Sequence, residues 1–331
     1  MSDLHPIIDR FPRLRIAVWG DFILDEYVYG FTRRISREAP VLILSFQRRE
    51  FSLGGAGNAA LNLAALGVEV RAIGVTGADS SGRAVRRILR LHGISDEALF
   101  SERNGVTPLK TRILAGEENT KKQQILRIDR EGEVPEGAGL RRQIAAALKK
   151  ASASCDALII SDYHYRTVNE DLFAAALPLF RRAGLPVALD SRFRLTRFPG
   201  VSIATPNEPE VEDALKTRLG EDRRGLVSAG RALLRSLRSP ALLITRGFKG
   251  MALFERGKPP VFLPVHGSTD IVDVTGAGDT VISVLTAGLA AGASFRQAAR
   301  LANYAGGLVV MKKGTATVSP RELKEAAASD R

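Results

Sequence analysis

One cysteine stands in the 331 residues, Cys155, beside the apolar run 157–160. A disulfide framework is thereby excluded, and a lone thiol next to a strand reads as a small buried hydrophobe. Histidine is also sparse: His5, His92, His164 and His266 have no metal-ligand spacing among themselves, so no zinc site is expected. No serine lies in a nucleophile-elbow pattern. No stretch approaches the roughly 18 apolar residues of a spanning helix. Residues 1–13 read as neither a leader nor an anchor, so the expectation is a cytoplasmic protein with no membrane partner. Aromatic residues are only 6 % of the chain and do not interleave with its basic pairs, so a stacking platform for nucleic acid is missing. That absence matters because 48 Lys and Arg outnumber 36 Asp and Glu, a formal charge of +12. The pairs Arg33/Arg34, Arg48/Arg49, Arg86/Arg87, Arg141/Arg142, Arg181/Arg182 and Arg223/Arg224 are scattered, most of them on expected polar helix faces. They read as solvated surface that also attracts anionic substrates, with no nucleic-acid partner.

What is present is ordinary globular composition, 45 % hydrophobic and 25 % charged, with short strands and helices alternating through most of the sequence. Strands are expected at 15–20, 68–77, 156–163, 186–190, 201–206, 241–246, 251–255 and 261–265. Helices are expected at 56–66, 81–92, 140–152, 169–183, 208–217, 225–237, 277–291, 294–311 and 320–328. The alternation argues for a single α/β domain over 1–331, its mainly parallel sheet covered on both faces. Ligands in such folds bind beyond the carboxyl ends of the strands. Three of those ends carry polar residues: Asp21, Ser161-Asp162 and Asp190. Two non-helical insertions, 27–51 and 106–129, break the rhythm. They form either one small sheet over the site or two unrelated hairpins.

The most informative stretch is Asp273-Val274-Thr275-Gly276-Ala277-Gly278-Asp279, which leads from a β-branched run (Ile271, Val272, Val274) into an apolar helix. Small residues at a helix start leave backbone N–H groups bare for an anion, and glycine admits a phosphate without a Cβ in the way. A carboxylate beside such a cradle needs a task, and the simplest is taking a proton from a hydroxyl that attacks phosphorus. The turn Gly54-Gly55-Ala56-Gly57-Asn58 is a weak dinucleotide fingerprint, because it does not follow the first strand. It reads as a glycine turn bringing Asn58 to a polyol, or as a plain tight turn. The segment 77–84 has P-loop glycine spacing but lacks the Lys and Ser/Thr, so it is a turn and cap. Asn207 and Glu210 either organise Mg²⁺ near a nucleotide or form a helix cap, the cap being favoured locally. Thr245-Arg246-Gly247-Phe248-Lys249-Gly250 is a phosphate-facing loop or a hairpin turn.

Taken together, the glycine turn, Asn207-x-x-Glu210 and 273–279 resemble the signature set of the ribokinase-like (phosphofructokinase-B type) sugar kinases, over about residues 15–320. Within them, Gly20-Asp21-Phe22-Ile23-Leu24-Asp25, the segments 34–41 and 123–129, and Lys313-Gly314-Thr315 resemble the heptose 7-phosphate kinases of ADP-heptose synthesis. The resemblance implies a three-layer α/β/α fold with a small β-sheet lid, often a homodimer interface. It implies ATP and Mg²⁺ as cofactors and a sugar phosphate as substrate, phosphorylated at its anomeric hydroxyl. Asp279 would be the base, with Gly276, Ala277 and Gly278 as anion hole. Asp25 and Asn58 would hold sugar hydroxyls, with Gly54, Gly55 and Asp190 beside them, and Lys110, Arg112 and Arg127 of the lid would grip the substrate's own phosphate. Asn207 and Glu210 would organise metal and phosphate, Glu210 being the metal-binding residue. Thr245, Arg246, Gly247 and Gly250 would line the nucleotide, and Asn303 the adenine. The chain departs from the heptose kinase pattern at His164-Tyr165-Arg166 and at Ser191-Arg192. Related bifunctional chains continue into a nucleotidyltransferase domain, so adenylyl transfer is expected to fall to a separate protein.

Overall fold

A computed structural model of the chain describes residues 4–117, 122–134, 137–220, 222–267 and 272–329. A short α1 (His5–Ile8) precedes β1 (Arg15–Gly20). The hairpin β2 (Phe22–Ile35) and β3 (Leu42–Gly55) runs directly into α2 (Ala56–Ala65). Then come β4 (Glu69–Gly77), α3 (Ser80–Leu91), β5 (Ser95–Glu102) and a second hairpin, β6 (Leu109–Gly116) and β7 (Gln123–Arg130). The next elements are α4 (Ala138–Ser154), β8 (Ala157–Asp162), α5 (Glu170–Arg182), β9 (Val187–Ser191), β10 (Ile203–Ala204), α6 (Glu208–Leu215) and α7 (Arg223–Ser236). The antiparallel edge β11 (Ala241–Thr245), β12 (Met251–Glu255) and β13 (Val261–Leu263) follows, and α8 (Ala277–Ala290), α9 (Phe295–Val309) and α10 (Pro320–Ser329) close the chain.

Nine strands form one sheet in the order β13-β12-β11-β10-β9-β8-β1-β4-β5. Every pairing from β11 to β5 is parallel. Successive side chains on a strand point to opposite faces, so a strand buried on both sides must be apolar throughout. In β1, Ile16 and Val18 enter the core under α2, α8 and α9, while Ala17 and Trp19 enter the core under α4, α5 and α7. The result is three layers, α/β/α. The helix starts expected from sequence are capped as such: Asp79 accepts from Gly82 N–H, and Asn169 from Leu172 N–H.

The two insertions join into a separate sheet, β3-β2-β6-β7, so the single-sheet alternative holds. Its first hairpin is longer than the expected 27–51. It leaves the core at Phe22, two residues beyond the end of β1, and returns at Gly55. The glycine pair Gly54-Gly55 is therefore the end of a strand. β5 is an element that the hydrophobic pattern did not announce. Only Leu99 among its residues is fully buried, because β5 is the sheet's edge. The β-branched run before the signature forms no strand at Val272 or Val274, and Ile271 lies outside the described residues.

Candidate active site

The site is built where β1, β8, β9 and β11 end and α8 begins. Gly276 caps α8 with φ 77°, in the left-handed region, and a Cβ there would collide with the Asn58 amide. Glycine is required on both counts. One detail of the expected anion hole changes. Ala277 N–H turns back to the Val274 carbonyl (3.2 Å), closing a tight turn. It is therefore engaged within the chain. The N–H groups of Gly276, Gly278 and Asp279 have no acceptor among the described residues. They point, with the helix dipole, at whatever anion sits there.

Asp279, in the first turn of α8, is 4 % exposed. Each of its carboxylate oxygens receives one donor: Asn58 Nδ2 reaches Oδ2 at 2.8 Å, and Tyr163 Oη reaches Oδ1 at 3.1 Å. Burial pushes this carboxyl up to about 7, the two donors oppose the rise, and the Asp25 charge adds to it. A carboxyl poised there can take a proton at neutral pH. Asn58 itself is fully buried, and its Oδ1 accepts from Asn62 Nδ2. Its amide is committed to Asp279 and to the Gly276 carbonyl, so Asn58 holds the carboxylate, in place of the expected polyol contact.

A polar cavity of about 970 Å³ opens over Asp279, lined by Asp25, Gly54, Gly55, Lys110, Arg112 and Arg127 among others. The lid's register explains why. Asp25 pairs with Lys110 across β2 and β6, Lys110 with Asp129 across β6 and β7, and Arg112 with Arg127 in the next inward row. The expected phosphate-gripping cations are already partnered: Arg112 with Asp25 (2.6 Å), Lys110 with Asp129 (3.1 Å) and Arg127 with Asp129 (2.9 Å). Burial raises the Asp25 carboxyl, and Arg112 opposes that rise. Gly54 is confined by the same carboxylate, since a Cβ would stand 2.8 Å from Asp25 Oδ2. Two cations of the cavity wall that the sequence reading left without a role, Arg166 and Arg192, have no ion-pair partner among the described residues.

A smaller, mainly apolar cavity lies on the other side of the 274–278 turn. Thr245, Gly247, Gly250 and Asn303, the residues expected beside a nucleotide, line it together with Phe248, Val265 and Val281. Asn303 Nδ2 donates to the Pro264 carbonyl (2.7 Å). Arg246 is the exception, for its guanidinium is turned to Glu208 (2.8 Å) and it does not line this cavity. Val274 belongs to both cavities, and the bare end of α8 lies between them.

Asn207 and Glu210 form a reciprocal capping box: Asn207 Oδ1 accepts from Glu210 N–H (2.8 Å) and Glu210 Oε2 from Asn207 N–H (2.9 Å). The cap reading is correct, yet Asn207 also lines the polar cavity. Asp190 sits nearby, its carboxyl held well above the usual range by burial and then by Glu210, Asp279 and Asp162, against the opposing charge of Arg192. Among the described residues no group of three His, Cys, Asp or Glu gathers to hold a metal alone. Tyr163 is the functional contact that the sequence reading missed. Its signal was its place, one residue past a strand whose end already carried Ser161-Asp162.

An anion cradle, a buried carboxylate and flanking polar and apolar cavities define a phosphotransferase acting on a hydroxyl. The model of the pfkB family carbohydrate kinases matches residues 13–322, and the chain belongs to that family. It is 38 % identical over 328 residues to the bifunctional protein HldE of Pelobacter propionicus, covering 99 % of this chain and 66 % of that protein. It is 41 % identical over 322 residues to HldE of Nitrosococcus oceani, covering 96 % and 65 %. The chain thus spans a little under two thirds of the length of these relatives. Among solved structures, the fold resembles ribokinase of Arabidopsis thaliana complexed with ribose and ATP (TM-score 0.73, 20 % identity, 95 % of this chain and 98 % of that one). It also resembles the tetrameric inhibited form of phosphofructokinase-2 from Escherichia coli (TM-score 0.76, 17 % identity, 95 % and 98 %). The protein is a carbohydrate kinase with a ribokinase-like fold.

Proposed function

We propose that the protein transfers the γ-phosphoryl group of ATP to the anomeric hydroxyl of D-glycero-D-manno-heptose 7-phosphate, giving the 1,7-bisphosphate. The observation that carries the reaction is the position of Asp279, buried at the junction of a cation-rich polar cavity and an apolar cavity. The sugar occupies the polar cavity under the lid, and the adenine lies against Phe248, Val265 and Asn303. Five cationic side chains line the polar cavity against four carboxylates, and the two without an ion-pair partner among the described residues, Arg166 and Arg192, favour an acceptor that itself carries phosphate. The named sugar rests on the heptose kinase segments of the sequence and on the HldE relatives, 36–41 % identical among the first eight.

Phosphoryl transfer passes through a loose transition state, so positioning and charge stabilisation carry most of the rate. The bare N–H groups of Gly276, Gly278 and Asp279 meet charge on the transferring group. Asp279 takes the hydroxyl proton as transfer proceeds, because a carboxylate cannot strip a sugar hydroxyl in advance. The half-buried Asp190–Glu210 neighbourhood, where both carboxyls are raised while Arg192 and the Asn207 hydrogen bonds to Glu210 oppose the rise, fits a magnesium ion delivered with ATP. Glu210 would hold it through water, and it would neutralise phosphate charge there. Asp25, with Arg112, orients the sugar. The protein acts in the cytoplasm, and no described helix is long and apolar enough to cross a membrane. The lid supplies a homodimer interface.

An ADP-release assay over sugars, sugar phosphates and nucleosides tests this reading. Heptose 7-phosphate is expected to give the highest kcat/KM. Faster turnover of another phosphorylated sugar moves the substrate assignment and leaves the chemistry. No turnover with any acceptor overturns the reading in favour of a sugar-binding regulatory protein.

A further inference from the structure

The segment following β8 has a conformation that ordinary chain preferences do not supply. His164 and Arg166 both have positive φ, 68° and 71°, although neither is glycine. Such backbone is strained and persists only where its surroundings over-determine it. Here the determinant is Asp21, 1 % exposed at the end of β1. Its carboxylate accepts the N–H groups of Tyr163 (2.8 Å), Tyr165 (3.1 Å) and Thr167 (3.2 Å). Alternate residues are thus nailed to one buried carboxylate, and the two between them are forced into the left-handed region.

A second buried carboxylate braces the same loop. Asp162 accepts from Ser191 Oγ (2.7 Å), from Arg194 Nη2 (2.5 Å) and from the backbone N–H of His164 (3.2 Å). Between these anchors stands Tyr163, whose hydroxyl reaches Asp279 Oδ1. Both anchors are buried, Asp21 held by three backbone N–H groups and Asp162 by Arg194, and their arrangement keeps one phenol at one carboxylate oxygen. The hydroxyl has no other hydrogen-bond partner among the described residues.

We infer that Tyr163 is a positioning residue of the phosphoryl transfer: held by the Asp21-pinned loop, its hydroxyl fixes the Asp279 carboxylate and stabilises its ionised form. Asn58 does the same for the other oxygen from the opposite side. The rotation of the carboxylate is therefore blocked at both ends, and the lone pair that takes the sugar proton has one direction. The charged groups around the pair are few. Asp25, itself paired with Arg112, raises Asp279, and Asp190 and Arg192 both act on Tyr163 with opposite sign. Burial pushes the phenol well above its usual range, so Tyr163 remains a donor throughout the assay range.

The inference rests on Asp279 as the base, and the experiment separates the two. The variant Tyr163→Phe keeps the ring and removes only the donor. ADP release is followed from about pH 5.5 to pH 9.5, using whichever acceptor in the panel above turns over fastest. Loss of a hydrogen bond to the charged form moves a carboxyl upward. The acid limb of kcat/KM is therefore expected to move up by about one pH unit, giving about a tenfold loss at pH 6 that shrinks to within about threefold at pH 9. The KM for ATP and the melting temperature at pH 9 serve as controls and stay near wild type. In an Asp279→Asn background the same substitution is expected to add no further loss. A loss equal at every pH, or one that adds fully to that of Asp279→Asn, overturns the inference and leaves Asp279 as base. Near-normal activity of Asp279→Asn alone overturns the base assignment and the inference together.

Discussion

At the scale of single residues, the site turns on a carboxylate kept where water is scarce. Asp279 is raised from 3.8 to about 7, which makes it both useful and costly. A group whose folded value lies above its unfolded one contributes stability that is complete below the unfolded value, here below about pH 4, and is lost as pH rises through about 7. Removing the charge should therefore stabilise the protein in alkali. Asp279→Asn is expected to lower kcat by roughly three orders of magnitude and to raise the melting temperature at pH 8 more than at pH 5. The gain is bounded by about 4 kcal/mol and is smaller in practice, because the two donors were arranged for a carboxylate. Calorimetry at the two pH values checks this, and an equal change at both would remove burial as the cause. The residue scale is also where sequence reading misjudged Asn58. An amide after a glycine turn suits hydroxyls by chemistry alone. Only the packing of α2 against α8 turns it onto Asp279.

At the scale of elements, the lid has two unlike faces. Asp25, Lys110, Arg112 and Asp129 share the inward face, and the alternate rows carry Phe51 and Ile128, then Val28, Ile113 and Leu126, outward. Phe51, Leu126 and Ile128 are each about half exposed. Under the homodimer proposed above, a second copy of the same lid covers this face, on which the Arg49–Glu26 ion pair also lies. The double change Leu126→Glu with Ile128→Glu is expected to convert a dimer to a monomer in sedimentation velocity and to weaken sugar binding, because the inward row loses its backing. A wild-type protein already monomeric at micromolar concentration would overturn the lid interface. Much of this architecture was legible beforehand. Core strands announce themselves as continuous apolar runs because both faces are buried, and 273–279 carries its helix start in plain glycine. What was not legible depends on neighbours far along the chain. β5 is half solvent-facing, so Ser95-Asp96-Glu97 reads as loop. Arg246 has a plausible phosphate-loop setting until Glu208 is seen beside it. The pairing of the lid cations with Asp25 and Asp129 follows from strand register, which no local pattern specifies.

At the scale of the whole molecule, the excess of basic residues acts as a field. A chain carrying +12 draws anionic substrates toward it, and Arg166 and Arg192, the cations of the polar cavity without an ion-pair partner among the described residues, extend that attraction into the site. Raising ionic strength from about 0.01 M to about 0.15 M shrinks the screening length from about 30 Å to about 8 Å. Over that range kcat/KM for a phosphorylated acceptor is expected to fall severalfold, while that for its unphosphorylated counterpart changes little. Equal salt effects on both would assign the dependence to ATP. The way the lid is rooted has a mechanical consequence. Only Asp21 stands between β1 and β2, and β3 enters α2 without a connecting loop, so the cover has no loop at its root. Each strand of that ribbon has 14 residues, which at about 3.3 Å per residue makes an arm of roughly 45 Å. One strand is rooted at Asp21 and the other at the start of α2, which carries Asn58. It is a lever whose fulcrum is the catalytic floor: a load placed on its far tip, by a partner or a substrate, bears directly on the two supports of Asp279.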